Sequence, residues 1–219
     1  VVDIFDEVDE ELRAERMREF MKKYGGMIFA ACLLVIAAAG GWKAWTWYQE
    51  RQDLDSATRY LAASARTESA GVAGPNRAEA IAAFQGVAAN SPEGYRVLAR
   101  LREASARADS GDLQGASALW DQIAADSFAD PLLRDLASLT WAFYHADKDD
   151  PAVVAGRLKP LAEPGNPWRS LAQEQLALLE MRQGHTDAAR TQLKKLLEDT
   201  TAPTGVRSRA GALLDRIGE

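Results

Sequence analysis

Few side chains in this 219-residue sequence could carry covalent or metal chemistry, and they do not form a known constellation. The two histidines, His145 and His185, stand at the ends of different predicted helices, and neither has a second ligand at metal-binding spacing. A histidine at such a place serves the free carbonyls of a helix end. The one cysteine, Cys32, lies inside an uncharged stretch. The glycine pairs Gly25-Gly26 and Gly40-Gly41 lack the Gly-x-Gly-x-x-Gly or phosphate-loop context. Carboxylates are plentiful but scattered over solvated helix faces. The expectation is therefore no enzyme, no metal, no cofactor and no small-molecule substrate, which leaves recognition of other polypeptides. The segment Pro131 to Ala146 is the main candidate surface: Leu133, Leu136, Ala137, Thr140 and Tyr144 share one side, and Leu132, Leu139 and Phe143 form a second stripe with Trp141 between. Leu132, Leu139, Trp141 and Phe143 are thus the candidate partner-binding residues, since a part-open tryptophan is a common interface anchor. The alternative is an inner helix buried on both sides.

Positioning these residues falls to a series of helices. A short polar side chain beside a proline or a good first-turn residue recurs at Asn76, Ser91, Asp112, Asp130, Asp150, Asn166, Thr186 and Thr204, at intervals of 15 to 21 residues. Such a side chain bonds the free amides of a first turn, and proline there gives up a donor that had no partner anyway. No segment keeps a two-residue alternation, so the fold class is all-α. Between the starts, apolar residues recur at i, i+4 and i+7: Ala80, Phe84, Val87; Ala116, Trp120, Ile123; Ala189, Leu193, Leu196. With Ala155 as the third, the leading alanines are 36, 39 and 34 residues apart.

A period near 34 built from helix pairs is the mark of a helical solenoid. The series Leu176, Ala177, Gly184, Ala189, Leu193, Leu196 and the series Ala104, Gly111, Ala116, Trp120, Ile123 resemble degenerate tetratricopeptide repeats. The unit around Ala155 departs from the pattern, with Asp150 where the turn glycine would stand. Val206, Ala210, Leu213, Leu214 and Ile217 share one face of a last helix that would cap the stack. Residues 43–68 carry no helix breaker and place Leu54, Ala57, Leu61 and Ala65 on a stripe, so this segment is expected to run on from the apolar stretch before it as the stack's first helix, with 69–75 as a loop.

The apolar stretch itself, Tyr24 to Trp42, is 19 residues long and free of Asp, Glu, Lys and Arg. A helix of about that length crosses a hydrocarbon core roughly 30 Å thick. A cleaved signal peptide is the competing reading. The stretch lacks a polar cleavage region, and helix-favouring sequence continues through Trp45, Tyr48, Gln49 and Glu50, which favours an anchor. Lys22, Lys23, Tyr24, Trp42 and Trp45 are the candidate membrane-interface anchors, because amphipathic rings and long cations settle at the headgroup layer. Arg13, Arg16, Arg18, Lys22 and Lys23 precede the stretch, whereas Lys43, Arg51 and Arg59 follow it. That bias puts the N-terminus in the cytoplasm and the C-terminal part across the membrane, in a periplasm if the host is bacterial. The expected organisation is an acidic tail over 1–23, a transmembrane helix over 24–42, a stalk and first helix over 43–75 and a repeat domain over 76–219. The tail places Ile4, Phe5, Val8 and Leu12 on one side of an amphipathic turn pattern, either as a solvated tail or as a docking segment. Basic and acidic residues number 21 and 24 beyond the stretch, which is no footprint for nucleic acid. That part also has no cysteine, so no disulfide framework is available and an oxidising compartment is tolerated.

Taken together, the opening Asp3-Ile4-Phe5-Asp6-Glu7-Val8-Asp9-Glu10-Glu11, the border Lys22-Lys23-Tyr24-Gly25, the exit Gly41-Trp42 and the helical repeats resemble the ancillary subunit family of the Sec translocon. Asp130-Pro131-Leu132-Leu133-Arg134-Asp135-Leu136-Ala137 and Pro164-Gly165-Asn166-Pro167-Trp168-Arg169 are similar to its alphaproteobacterial branch. The resemblance implies a bacterial inner-membrane protein beside the Sec channel. Its periplasmic repeats would work with a membrane-anchored prolyl-isomerase-like chaperone on emerging secretory and outer-membrane chains. A structural scaffold for another cell-envelope complex is the alternative from a different class. A phosphatase reporter that works only outside the cytoplasm, fused after Glu219, is expected to be active; activity confined to a cytoplasm-dependent reporter would reverse the orientation.

Overall fold

The computed structural model describes residues 4–70 and 77–218, with side chains for 16–67 and 77–218. These residues form nine α-helices and one short 3-10 turn, with no strand among them. The helices are α1 (Ile4–Ala70), α2 (Arg77–Asn90), α3 (Glu93–Asp109), α4 (Leu113–Ala125), α5 (Pro131–His145), α6 (Pro151–Leu158), α7 (Arg169–Arg182), α8 (Thr186–Glu198) and α9 (Thr204–Gly218), with the 3-10 turn at Lys159–Ala162. Two compact units divide the chain, Val1–Gln52 and Asp53–Glu219. The Asn76 start, residues 71–75 of the expected loop and the side chains of Ile4, Phe5, Val8 and Leu12 lie outside the described residues. Ser69 and Ala70, expected to open that loop, still belong to α1.

The first unit consists of α1 up to Gln52. Helix Arg16–Thr67 contains a window long and apolar enough to cross a membrane, and none of that window is buried by the protein. Met27, Phe29, Leu33, Leu34, Val35 and Ile36 are all exposed, as are Cys32, Lys22, Lys23, Trp42 and Trp45. By length and composition this run is a candidate membrane span.

The second unit is a stack of helix pairs. Asp112, Asp130 and Asp150 start α4, α5 and α6 as expected, each carboxylate accepting from a first-turn amide: Gly115 at 2.9 Å, Leu132 at 2.8 Å and Ala152 at 2.9 Å. Four other starts differ. Pro92 itself occupies the cap position of α3, and the hydroxyl of buried Ser91 bonds nothing among the described residues. Asn166 acts one turn early, accepting from the Trp168 amide at 2.8 Å, so α7 begins at Arg169. Thr186 and Thr204 are the first residues of α8 and α9, and His185 takes the cap position of α8 without a side-chain bond to its first turn.

Counted from the first residue of α2, α4, α6 and α8, the same three positions are buried each time. The fourth is Ala80, Ala116, Val154 and Ala189; the eighth is Phe84, Trp120, Leu158 and Leu193; the eleventh is Val87, Ile123, Leu161 and Leu196. Ala155, read as the third leading alanine, is only half-buried. Proline at the first position of α6 fixes where the helix begins, so Val154 inherits the inner place.

The turns follow the glycines. Gly111 (φ 92°) and Gly184 (φ 79°) adopt the left-handed conformation open to glycine. Each closes a helix end with the same pair of bonds: Gly111 N–H to Ala108 and Asp112 N–H to Arg107, Gly184 N–H to Met181 and His185 N–H to Glu180. The α5–α6 turn has no such glycine and no left-handed residue. Lys148 and Asp149 both donate their amides to the His145 carbonyl at 3.0 Å, and Arg182 of α7 donates to the carbonyls of Ala146 and Asp149.

The end of α1 belongs to the stack on a face other than the expected one. Ser56 and Ala63 are buried, and Tyr60 and Thr67 are half-buried, whereas Leu54, Leu61 and Ala65 are exposed. Ala63 packs with Phe84, Val87 and Ala99, and the Tyr60 ring lies 5.9 Å from Phe84 and 6.2 Å from Tyr95. Small residues win this face because they let the helix backbones close up around one large ring, which leucine would hold apart. At the other end Val206 and Ala210 are buried, and Leu213, Leu214 and Ile217 pack against Leu193 and Leu196 as the cap.

Candidate functional site

Two of the depressions among the described residues are lined mainly by the first helices of the pairs. One, of about 270 Å³, lies between the end of α1 and helices α3 and α5, with Tyr60, Leu98, Arg102, Leu136 and Thr140 on its walls. The other, of about 410 Å³, lies between α5, α7 and α9. Phe143 and Leu178 form its apolar wall and Arg182 its edge, while Glu174 and Gln175 lie on its floor with Arg209 across from them.

The structure separates the four residues expected to bind a partner. Leu139 and Trp141 are buried, at 4% and 8% exposure, as the alternative of an inner helix covered on both sides requires. Leu132 and Phe143 are exposed at 42% and 56%. Phe143 stands in the larger groove. Leu132 lies away from it at the start of α5, where its carbonyl accepts from the Trp168 indole at 3.0 Å. The floor of the groove was not apparent from the sequence. Glu174 is 4% exposed and accepts two bonds of 2.6 Å from the Nε and Nη2 of Arg209. That bidentate contact pushes the Arg209 guanidinium further up, outweighing the cost of its partial burial. The partners lie 35 residues apart on different helices, so no local spacing announces them.

A second polar cluster ties α4, α5 and α6 together. His145 is the last residue of α5, as expected, and it is also buried. Its Nδ1 lies 2.7 Å from Asp149 Oδ2 and its Nε2 lies 2.8 Å from Ser117 Oγ. Its ring stacks on Trp141 at 4.0 Å, and the Arg157 guanidinium sits 4.4 Å from the same indole while pairing with Asp121 at 2.7 Å. The order Ser117, His145, Asp149 is that of an acyl-transfer relay. Ser117 lies inside α4, however, where amides are committed to helix bonds, and its hydroxyl also contacts the Leu113 carbonyl at 2.7 Å. A nucleophile of this kind needs free donors beside it to hold an oxyanion. The cluster works as a strut between three elements. His185 stays exposed, with Nδ1 at 2.8 Å from Glu180.

A family model described as a tetratricopeptide repeat-like domain matches residues 18–159. The chain belongs to this family. The matched stretch runs from before the apolar segment to the 3-10 turn after α6, so it takes in the first three helix pairs of the tetratricopeptide repeat-like unit. Helix α8 lies beyond it yet keeps the same buried fourth, eighth and eleventh positions. No curated protein and no solved structure matches the chain. Tetratricopeptide repeat-like stacks present extended surfaces to other polypeptides, and the chain is accordingly a protein–protein interaction module.

Tyr144 provides a probe of the packing behind the groove. Its ring stacks on Trp120 at 5.1 Å and its hydroxyl donates to Asp109 at 2.7 Å. Burial first, then the bond to Asp109 and the charge of that carboxylate, push the phenol up to about 12. A folded-state value above the unfolded one of about 10 means that this contribution is intact below about pH 10 and is lost as pH rises through about 12. In a phenolate absorbance titration, with Tyr144→Phe as the difference reference, Tyr144 is expected to ionise near 12, and Asp109→Ala to bring it back toward 10.

Proposed function

We propose that this chain is a membrane-anchored ancillary subunit of the Sec translocon. In this reading Tyr24 to Trp42 spans the bacterial inner membrane with the N-terminus cytoplasmic, and the repeats lie in the periplasm. Lys22, Lys23 and Tyr24 sit at one headgroup layer and Trp42 and Trp45 at the other. The repeats recruit a membrane-anchored prolyl-isomerase-like chaperone, or contact secretory and outer-membrane chains as they emerge. The observation that carries the reading is the extent of the family match: it begins at residue 18 and holds the unburied apolar helix and the repeats as one unit. An anchor that comes with its repeats favours a tether over a discarded leader. The opening, border and exit motifs that resemble the translocon family supply the finer assignment.

The physical advantage of such an arrangement is concentration. A binding face confined within a short tether of the channel exit meets emerging chains at an effective concentration of the order of millimolar, so modest contacts suffice. A photoreactive residue at Leu33 or Trp45 is expected to crosslink a channel subunit in membranes. Recovery of cell-wall or division proteins without any channel component would instead support a scaffold for another envelope complex and contradict the proposal.

A further inference from the structure

The two ends of the repeat unit are finished differently. Helix α9 leaves Ser208, Ala212, Asp215 and Arg216 exposed, a mostly polar outer face that suits a cap. Helix α2, at the other end, has no such face. After Glu79 in its first turn it carries no charged residue, and Ala82, Gly86 and Ala89 are exposed beside half-buried Ala83. A helix that is apolar all round belongs in a place where every side is covered. The neighbouring part of α1 leaves Leu61, Ala62 and Ala65 exposed as well. Between them lies a depression of about 310 Å³ whose walls come from α1 and α2 alone. Gly86 leaves it open, since a Cβ built there would meet nothing within 4 Å. Arg59 and Arg66, both exposed, stand on its α1 side seven residues apart, and no carboxylate is among the residues that line it.

We propose that this end of the repeat unit docks an acidic amphipathic helix of a partner protein, with a leucine-sized side chain over Gly86 and carboxylates against Arg59 and Arg66. Charge decides the occupant. A second copy of this chain, seated here by a two-fold axis, would set the two arginines against the same two arginines, because such a contact pairs a patch with itself. A helix bearing carboxylates meets them with the opposite sign. Arg59 already pairs with Asp55 at 2.6 Å, but both side chains are more than half exposed, so exchanging that partner costs little. Seven residues are about two helical turns, or roughly 10 Å, so the matching pattern is Glu-x-x-Leu-x-x-x-Glu, which brings the leucine between the carboxylates on one face. Ala62 and Ala83 on the two walls are small enough to let the incoming helix approach closely. The docked helix would cover this end in trans as α9 covers the other. It would leave both first-helix depressions open, since neither shares a residue with this one. Docking here does not depend on the translocon assignment.

The test uses the full chain in nanodiscs of neutral lipid and a fluorescent alanine-rich peptide of about 18 residues, acetylated and amidated, long enough to be helical and carrying one central Glu-x-x-Leu-x-x-x-Glu. Anisotropy is expected to report binding that weakens as salt rises and that the same peptide with alanine for leucine lacks. Gly86→Leu fills the depression from within and replaces glycine by a better helix former, so it is expected to weaken binding about tenfold or more without lowering the melting temperature. Arg59→Glu combined with Arg66→Glu is expected to lose the acidic peptide and to bind its Lys-x-x-Leu-x-x-x-Lys counterpart, a rescue that only a folded surface can give. Phe128→Ala, which removes an exposed aromatic outside the depression, is expected to change nothing. Absence of binding to the parent overturns the proposal, as does equal affinity of Gly86→Leu with the parent. So does equal binding of a Gly/Ser peptide with the same Glu and Leu spacing, or a photoreactive group at position 62 that links two copies of this chain and not the peptide.

Discussion

Everything in the repeat unit depends on one close approach, made four times. At the fourth residue of α2, α4, α6 and α8 the side chain is Ala80, Ala116, Val154 or Ala189, and each is completely covered. A small residue there allows the helix axes to come together, and the large residue one turn on, Phe84, Trp120, Leu158 or Leu193, fills the space beside the crossing. The same small-then-large arrangement recurs where α1 meets the stack, with Ala63 beside the Phe84 ring. Because each pair buries its apolar face only against its neighbours, stability accumulates along the stack, and a last helix is needed to cover the end. The face left by the first helices is consequently free to carry depressions.

The third pair shows how the stack tolerates a missing turn signal. Where Gly111 and Gly184 close their turns with backbone bonds alone, the α5–α6 turn relies on side chains: Arg182 reaches its carbonyls from α7, and His145 joins Asp149 of the turn to Ser117 of α4. This places charged and aromatic groups at the junction that borders the larger groove. Arg182 belongs both to the turn and to the groove wall, so the shape of the groove is tied to the closure of α5. The Glu174–Arg209 pair on the opposite side brings α9 to α7 in the same way. The groove is thus framed by the Glu174–Arg209 ion pair and by Arg182 on its two carbonyls.

Much of this was legible in the sequence because it is local. The capping aspartates, the turn glycines and the i, i+4, i+7 faces of α2, α4 and α8 are set by neighbours within one or two turns. What could not be read depends on partners far along the chain. Leu54 and Leu61 look like an inner stripe by hydropathy, but the face that packs is the one carrying Ser56, Tyr60 and Ala63, because Phe84 and Tyr95 select for a ring between small residues. Ala155 loses its expected place by one residue since Pro151 sets the phase of α6. Leu139 and Trp141 belong to the core that α5 shares with its neighbours and Phe143 does not, which no periodicity within α5 alone could show. Glu174, Gln175 and Arg209 had no signal of their own. A buried glutamate reads like any solvated one until its guanidinium, 35 residues away, is in place.

The most direct measurement of the central constraint is a pair of substitutions within one helix of the full chain, followed by thermal unfolding of the repeat unit. Ala116 is fully covered at the crossing and Ala118 is exposed on the same helix, and leucine matches alanine closely in helix propensity. If close approach at the fourth position holds the stack together, Ala116→Leu destabilises it by about 1–3 kcal/mol, while Ala118→Leu stays within about 0.5 kcal/mol of the parent. Equal melting of the two variants would contradict the account.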